Sequence, residues 1–348
     1  MKYKLKDVCN FYSGTGFPTK YQGEIEGDYP FYKVGDITNN VIAGNIYLEM
    51  CNNYVSIDTV KKIKGCVLPP NTVVFAKIGE ALKLNRRAIT SCACLIDNNA
   101  MGIAPKEDTL RIQYFYFFMK NLKMQVLAES TTVPSVRKTI LEDYEVEIPS
   151  LNIQEEIESR LTIIQDIIEK RKKELSLLDN LIKARFVEMF GNPRLNEKGF
   201  KCKKGFELFK ISNGKAVSNE KRFESGIPAY GGNGISWYTN TVLFEEDTIV
   251  IGRVGFQSGN VHFVKGPMWI TDNAMYISEL YDDSLSLVFL CDMMEQIDFT
   301  RDQDAGDLKK VTQKPFMEME YILPEKSLQK EYIDFVHQVD KSKFMKSF

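Results

Sequence analysis

Residues 247–255 read DTIVIGRVG, and residues 71–79, much earlier in the chain, read NTVVFAKIG. Both are short runs rich in β-branched residues that end at a glycine, which is typical of strands. The coinciding positions include Thr72 with Thr248, Lys77 with Arg253 and Gly79 with Gly255. Two copies of one stretch in a chain of 348 residues indicate an internal repeat.

The repeat extends beyond this pair of stretches. The further matching pairs are YPFYKVGDI (29–37) with IPAYGGNGI (227–235), DNNAM (97–101) with TDNAM (271–275), and VRKTILEDYEVEIPSLNIQEEI (136–157) with VTQKPFMEMEYILPEKSLQKEY (311–332). We therefore expect an α+β fold in which two similar mixed α/β domains form a pseudo-two-fold internal repeat. Such an arrangement suits a target that itself has two parts.

One apolar segment in the first copy is predicted to be a single buried helix. Residues 109–129, TLRIQYFYFFMKNLKMQVLAE, carry apolar side chains at helical spacing. Its aromatic run, Tyr114 to Phe118, could suggest a platform for stacking bases. Core packing is the simpler interpretation because the helix is predicted to be buried.

A long helix is predicted after the first copy. Within IPSLNIQEEI, Pro149 ends a strand and Ser150 or Asn152 can cap a helix, which runs until Gly191. Its apolar seam has heptad spacing and includes Ile157, Leu161, Ile164, Ile168, Leu175, Leu178 and Ile182. About 38 residues at 1.5 Å each give a length of ~57 Å. A lone helix of that length with one apolar stripe needs a partner, which favours a coiled coil.

A shorter helix after the second copy can supply that partner. Its seam contains Leu328, Tyr332, Val336 and Val339. The predicted boundaries are 1–150 for the first domain, 151–190 for the central helix, 191–323 for the second domain and 324–348 for the shortened C-terminal helix.

The composition excludes several classes of protein. The chain is 44% hydrophobic and 26% charged with a net charge of −2, so it shows no global preference for nucleic acid. No apolar run is long enough to span a bilayer, and the N-terminus has no secretory signal, so we expect a cytoplasmic protein. Seven cysteines without a CxxC pair and two histidines do not predict a metal site. Cys92 and Cys94 in SCACLI are expected to be buried on one face of a strand.

Motifs for catalysis are missing from the sequence. There is no GxxxxGK[ST] phosphate loop, no GxSxG and no HExxH, and the NPPY-type motif of amino-methyltransferases is absent. YGGNGISW (230–237) is rich in glycine but lies between strand-like segments, which favours a loop over a phosphate site. These absences oppose a methyltransferase or nuclease and favour a recognition protein with no catalytic residues of its own.

Two junction segments resemble those of a known family. DYEVEIPSLNIQEEI (143–157) and LLDNLIKARFVEMFGNPRLNEKGF (177–200) resemble the specificity subunit of type I restriction–modification systems. The resemblance covers essentially the whole chain and is strongest at 136–200 and 311–332. It is diffuse within the domains, as expected where each member reads a different DNA sequence.

The resemblance implies a division of labour. Each domain would be a target-recognition domain that binds one half of a split double-stranded DNA site. The two helices would form an antiparallel coiled coil that spaces the half-sites and docks methyltransferase subunits, which motor-endonuclease subunits join. S-adenosylmethionine, ATP and Mg would serve those partners, and this chain would hold no cofactor.

Basic and aromatic side chains outside the predicted core are the candidate DNA contacts, because arginine and lysine can read guanine or grip phosphate. They are Lys77, Lys83, Arg86, Arg87, Lys215, Lys221, Arg222, Trp237, Tyr238 and Arg253. Lys77 and Arg253 occupy equivalent places, which suggests a shared role in phosphate contact or a salt bridge. Trp237 and Tyr238 are predicted to lie in a polar loop. For all of these residues, ordinary solvated surface is the competing interpretation.

The short C-terminal helix departs from the family pattern. It should cover residues near 166–190 and leave four side chains without a coiled-coil partner: Ile153, Ile157, Leu161 and Ile164. A methyltransferase, a second copy of the chain or missing residues could cover them. A truncated or silent allele that serves only as a methyltransferase scaffold therefore remains an alternative, as does the specificity subunit of a related methyltransferase–nuclease system.

Overall fold

The computed structural model describes residues 2–128, 133–281, 284–304, 306 and 309–345. The chain divides into two compact units, Met1–Arg171 and Lys172–Phe348. The division falls inside one helix, Leu151–Phe190, so each unit contains part of it.

The described residues of the first unit form ten short strands and the helices that follow or join them. The strands are β1 (Lys2–Lys4), β2 (Cys9–Ser13), β3 (Tyr29–Tyr32), β4 (Tyr47–Leu48), β5 (Tyr54–Val55), β6 (Val73–Ala76), β7 (Ala88–Thr90), β8 (Leu95–Ile96), β9 (Ala100–Pro105) and β10 (Glu145–Glu147). The helices are α1 (Leu5–Val8), α2 (Val34–Ile42), α3 (Ile57–Lys62), α4 (Glu80–Lys83), α5 (Ile112–Asn121), α6 (Met124–Leu127), α7 (Lys138–Glu142) and the start of α8 (Leu151–Phe190).

Three sheets organise the first unit. The largest has the order β2-β9-β6-β7-β4, a second has the order β5-β3-β8, and β1 pairs with β10. Every residue of β6, VVFA, is buried, as expected for a central strand with both faces covered. The main core lies between this sheet and α5, where Phe115 and Met119 are fully buried.

The second unit repeats this plan. Its strands are β11 (Cys202–Lys204), β12 (Phe209–Asn213), β13 (Ile227–Gly231), β14 (Gly234–Thr239), β15 (Thr248–Gly252), β16 (Val261–Val264), β17 (Trp269–Ile270), β18 (Ala274–Leu280) and β19 (Glu320–Ile322). Its remaining helices are α9 (Gly205–Leu208), α10 (Leu287–Ile297), α11 (Lys314–Glu318) and α12 (Lys326–Met345).

Apart from β4, which has no counterpart among the described strands of the second unit, the sheets of the two units share their strand order. The order β12-β18-β15-β16 corresponds to β2-β9-β6-β7, with antiparallel pairing throughout. The parallel pair β13 with β17 corresponds to β3 with β8, and β11 with β19 corresponds to β1 with β10. The prediction of two similar mixed α/β domains is confirmed.

The units differ between their shared strands. In the first unit, residues 33–72 between β3 and β6 contain α2, α3, β4 and β5. In the second unit, the corresponding interval contains only the strand β14, which forms a hairpin with β13. The scaffold is thus common, and the connections are specific to each unit.

Three local predictions were wrong. The stretch 109–129 is not one helix, because Asn85 donates to the carbonyl of Lys120 (2.9 Å) and ends α5 there, after which α6 begins. Trp237 and Tyr238 lie in the strand β14 rather than in a loop, because the turn Gly231–Gly234 folds this segment back on β13. Cys92 is exposed and precedes β8, so it does not share a buried strand face with Cys94.

Candidate nucleic-acid interface

A short turn in each unit organises the segments that carry the candidate contacts. In the first unit the turn is Asp97–Ala100, closed by the amide of Ala100 on the carbonyl of Asp97 (3.0 Å). In the second unit it is Thr271–Ala274, closed at the same distance of 3.0 Å. These are the repeated DNNAM and TDNAM stretches, so the sequence repeat marks a repeated structural element.

Each turn holds the basic residue that follows the central strand. The amide of Lys77 donates to the carbonyl of Asn99 (2.9 Å), and the amide of Arg253 donates to the carbonyl of Asn273 (2.9 Å). The prediction that Lys77 and Arg253 occupy equivalent places is confirmed.

In each unit, a second segment of the chain forms hydrogen bonds with the residues that follow the central strand. The carbonyl of Lys77 accepts from Val136 (2.9 Å), and the amide of Gly79 donates to Pro134 (2.8 Å). In the second unit, the carbonyl of Arg253 accepts from Val311 (3.0 Å) and the amide of Gly255 donates to Lys309 (2.8 Å). Gly79 and Gly255 both have positive φ, 76° and 96°, which explains why the repeat keeps glycine here.

Neither repeated basic side chain is committed to a carboxylate. Within the described part of the chain, Lys77 and Arg253 form no ion pair. The guanidinium of Arg253 makes one long contact, 3.5 Å, with the carbonyl of Asp272. Of the two roles expected from the sequence, the described residues therefore offer no salt bridge, and phosphate contact stays a prediction.

The other basic candidates of the first unit lie in different environments. Lys83 is exposed and pairs with Glu80 on α4 at 2.6 Å. Arg86 is half-buried. Arg87 is only 2% exposed, lies 4.7 Å from the Phe75 ring centre and donates to Asn85 Oδ1 (2.7 Å). Burial lowers the pKa of Arg87 to about 10.

The structure thus separates Arg87 from the other candidates. A direct DNA contact would require its guanidinium to leave the core and its hydrogen bonds. We therefore assign Arg87 a structural role, because its hydrogen bond to Asn85 holds the segment between α4 and β7. Lys83 and Arg86 remain accessible to a ligand.

The candidates of the second unit lie on the β13–β14 hairpin and the segments that flank it. Arg222 stacks its guanidinium 5.1 Å from the ring centre of Trp237. Tyr238 exchanges backbone hydrogen bonds with Phe223 at 2.8 and 3.1 Å. Lys221 lies in the adjoining 3₁₀ helix, Asn219–Lys221, and is exposed. Arginine stacked on an aromatic ring combines a charge with a flat apolar surface, which suits contact with bases or sugars.

Backbone contacts bring Lys215 and the hairpin close to the segments around Arg253. The amide of Lys215 donates to Ile270 (2.9 Å) next to the Thr271–Ala274 turn. A Cβ added to Gly232 would lie 3.0 Å from Cα of Gly252, which directly precedes Arg253. The glycines of YGGNGISW therefore allow the hairpin to pack against the loop that holds Arg253.

One buried glutamine attaches each of the helices α8 and α12 to its unit, and the sequence alone assigned neither glutamine a role. Gln154 of α8 donates to the carbonyls of Thr109 and Pro149 (both 2.9 Å) and accepts from the amide of Arg111 (2.9 Å). Gln329 of α12 donates to Ser284 and Pro324 (both 2.8 Å) and accepts from Ser286 (3.1 Å). The repeat already paired Gln154 with Gln329, but only the structure shows their common contacts.

Within the second unit, α12 packs antiparallel on the C-terminal part of α8. Lys343 pairs with Asp179 at 2.7 Å, and Glu331 near the start of α12 pairs with Arg185 at 2.9 Å. Tyr332 meets Phe186 edge to face with ring centres 5.5 Å apart. The seam residues that this pairing buries or partly buries are Leu178, Ile182, Leu328, Tyr332, Val336 and Val339.

A half-buried carboxyl group lies beside this helix pair. Asp292 of α10 accepts from the hydroxyl of Tyr332 (2.8 Å) in a cleft of about 380 Å³. Burial raises the pKa of Asp292 to about 6, and the neighbouring Glu295 and Asp340 act in the same direction. Lys343 and the Tyr332 hydroxyl oppose the shift.

The middle of α8 carries apolar side chains that are exposed. Ile157 and Leu161 of the predicted seam are half-buried, whereas Ile164 is 51% and Ile168 is 48% exposed. Leu175 is 39% exposed, so α12 covers less of α8 than the sequence predicted. We call the exposed set the open face of α8; it consists of Ile163, Ile164, Ile167, Ile168, Leu175 and Leu177.

Metal-ligand groups and membrane spans also bear on the class of site. Among the described residues, no group of three or more histidine, cysteine or acidic side chains could hold a metal ion. No helix in the described ranges is long and apolar enough to cross a membrane.

Comparison with known proteins decides the family. A family model described as Type I restriction modification DNA specificity domain matches residues 1–177 and 197–346, which is most of the chain. The chain belongs to this family. The two matched segments also separate the two recognition domains on either side of the C-terminal part of α8.

Two curated relatives carry the same family name. The Type I restriction enzyme MjaIX specificity subunit of Methanocaldococcus jannaschii is 23% identical over 244 residues, which cover 64% of this chain and 54% of the relative. The Type I restriction enzyme EcoprrI specificity subunit of Escherichia coli is 25% identical over 305 residues, which cover 79% of this chain and 71% of the relative. The match thus spans about half the length of the first relative.

Solved structures share the fold of this specificity-family chain. The S subunit of a type I restriction–modification system from M. genitalium superposes with a TM-score of 0.56 at 16% identity, covering 99% of this chain and 90% of that one. A chain from a study of complex assembly and conformational transition of the type I R-M system gives 0.53 at 13% identity, covering 99% and 91%. At these identities the likeness concerns the fold alone.

Proposed function

We propose that this chain is the DNA-sequence-specificity subunit of a type I restriction–modification complex and binds a bipartite double-stranded target. The observation that carries the proposal is the duplicated turn, which presents Lys77 and Arg253 in the same way from two copies of one scaffold. Two equivalent presentations with different surrounding loops suit two half-sites of different sequence.

Each recognition domain supplies its own contacts. In the first domain we assign Lys77, Lys83 and Arg86 to the DNA surface. In the second we assign the hairpin and its flanks, with Lys215, Lys221, Arg222, Trp237, Tyr238 and Arg253. Cationic side chains position the phosphate backbone, and side chains that reach base edges provide sequence discrimination.

The helices take the spacing and docking roles. Helix α8 is continuous over Leu151–Phe190, and a continuous helix sets distance without the conformational entropy of a flexible linker. The open face of α8 is the docking element for methyltransferase subunits. Fully burying an exposed isoleucine side chain is worth about 1.5–3 kcal/mol. The four isoleucines of this face are 48% to 59% exposed, so each would contribute roughly half of that to such a contact.

The chemistry belongs to the partners in this proposal. The chain contributes recognition, while the methyltransferase subunits use S-adenosylmethionine and the motor-endonuclease subunits use ATP and Mg. The complex acts on DNA in the cytoplasm. The second candidate is a methyltransferase-binding scaffold that reads no DNA, which the incomplete cover of α8 by α12 favours.

A methylome distinguishes the two candidates. The chain is co-expressed with its neighbouring methyltransferase in a host that lacks adenine methylation, and modified adenines are mapped by single-molecule sequencing. The proposal expects a two-part motif with a fixed gap. Co-purification of the two proteins without any modified motif would contradict sequence recognition and support the scaffold.

A further inference from the structure

One apolar side chain in the second recognition domain is held where water surrounds it. Phe256 is 85% exposed, more than any other large apolar side chain in the ranges that the structure describes. Exposing an aromatic ring forfeits the free energy that burial would provide, about 1.5–3 kcal/mol. A single exposed ring is common on protein surfaces, so the position of Phe256 on the domain decides whether it has a function.

The loop that carries Phe256 is fixed on both sides of the ring. Gln303 donates from Nε2 to the carbonyl of Phe256 (3.3 Å) and to that of Ser258 (2.6 Å). The amide of Gly259 donates to Gly252 (2.8 Å), and the amide of Gly255 is bound to Lys309. The backbone is therefore held by the domain while the ring projects away from it.

The position of the loop links Phe256 to the candidate DNA surface. Phe256 lies three residues after Arg253, whose amide is held by the Thr271–Ala274 turn. The preceding Gly252 is in backbone contact with Gly232 of the hairpin that also carries Trp237 and Tyr238. Phe256 thus lies on a loop that also carries Arg253, and the glycine before Arg253 contacts the hairpin.

The first domain has no equivalent ring. Gly79 matches Gly255 in sequence and in its cross-loop hydrogen bond, so Glu80 stands where the second domain has Phe256. Glu80 begins α4 and pairs with Lys83. A residue required by the shared scaffold would occur in both copies, whereas a residue that reads one half-site is expected in one copy.

We propose that Phe256 is a base-contacting residue of the second recognition domain. This inference rests on the proposed function. The ring supplies apolar contact, either with the C5 methyl group of thymine in the major groove or with the face of a base, while Arg253 grips the adjacent backbone. Loss of the ring should therefore relax one half-site and leave the other unchanged.

The test compares three variants of the full chain with its methyltransferase: Phe256→Ala, Phe256→Leu and the control Ile25→Ala. Ile25 is also highly exposed, at 78%, lies in the first unit and is not one of the assigned contacts. The methylome of Phe256→Ala should lose base preference at one or two positions of a single half-site. Affinity for the cognate oligonucleotide should fall about tenfold or more, with unrelated DNA bound as before.

The outcomes separate the possibilities. Phe256→Leu should keep the motif if the contact is to a thymine methyl group, and should behave like Phe256→Ala if the contact is ring stacking. An unchanged motif and affinity for Phe256→Ala would overturn the inference, as would equal loss of cognate and unrelated binding. Loss of methyltransferase co-purification would show that Phe256 contacts protein, which also overturns it. If the wild-type chain directed no two-part motif, the proposed function itself would fail.

Discussion

The two recognition domains share their strands and differ in the segments that connect those strands. Both fix a basic residue between a DNNAM-like turn and a cross-loop hydrogen bond, and both attach a helix through a buried glutamine. Between β3 and β6 the first domain inserts α2 and α3. In the corresponding interval, between β13 and β15, the second domain forms the β13–β14 hairpin. We expect the duplicated parts to carry folding and to position the basic residue, and the divergent parts to carry the proposed specificity.

The largest expected effect tests the shared glutamines. Replacing Gln154 or Gln329 by leucine leaves buried backbone groups without partners, which should cost about 2–4 kcal/mol in either domain. Amide hydrogen exchange should accelerate at the start of α8 for Gln154→Leu and at the start of α12 for Gln329→Leu. The control is Gln338→Leu, on the exposed side of α12.

Equal responses would establish the glutamines as a duplicated attachment. If one variant opened its helix and the other left exchange at the level of the control, the two domains would not use the same device.

The next effect sharpens a difference between the domains. Asp292 and Tyr332 of the second domain stand where the repeat places Phe117 and Ile157 in the first. The folded pKa of Asp292, about 6, lies above its ordinary value of 3.8, so the folded state holds a proton that the unfolded state releases. The stability of the second domain should therefore fall as pH rises from about 4 to about 6, and then level off.

Asp292→Asn removes this titration and can still accept the Tyr332 hydrogen bond. It should stabilise the second domain by about 1–3 kcal/mol at pH 7.5 and have little effect at pH 4.5. Hydrogen exchange in α10 and α12 at the two pH values measures the gain, with the exposed Asp334→Asn as control. The same gain at both pH values would show that the carboxyl group does not titrate in this range.

The smallest effect concerns the repeated basic residues. Lys77→Ala and Arg253→Ala should each lower the slope of log affinity against log salt concentration by about 1, because each removes one phosphate contact. Lys2→Ala, which removes an exposed lysine beside Glu147 at the edge strand, is the matched control. A slope that changed for one residue and not the other would break the equivalence that their geometry suggests.

The sequence predicted the scaffold well because the residues that the scaffold requires occur in both copies of the repeat. Matching glycines and the DNNAM-like turns are backbone requirements, and backbone requirements leave the same letters in both copies. The helix α8 was visible from its capping residues and apolar spacing. The break between α5 and α6 was not visible, because it depends on Asn85, a residue far away in the chain.

The candidate site could be predicted only in outline. Residue type alone could not separate Arg87, buried against Phe75, from its half-buried neighbour Arg86. Phe256 had the opposite problem, since an aromatic residue near a strand is normally assigned to the core. The glycines around Trp237 and Tyr238 predict a loop. In the structure these glycines form the turn of the β13–β14 hairpin and its close contact with Gly252.

The most direct test of the account is to lengthen α8 between the two recognition domains. Four helix-forming residues are inserted after Leu175, on the exposed stretch of the helix, and the methylome is mapped with the co-expressed methyltransferase. The insertion adds about 6 Å of helix, so the gap between the half-sites should grow by about one or two base pairs while both half-site sequences stay the same. Changed half-site bases with an unchanged gap would contradict the account.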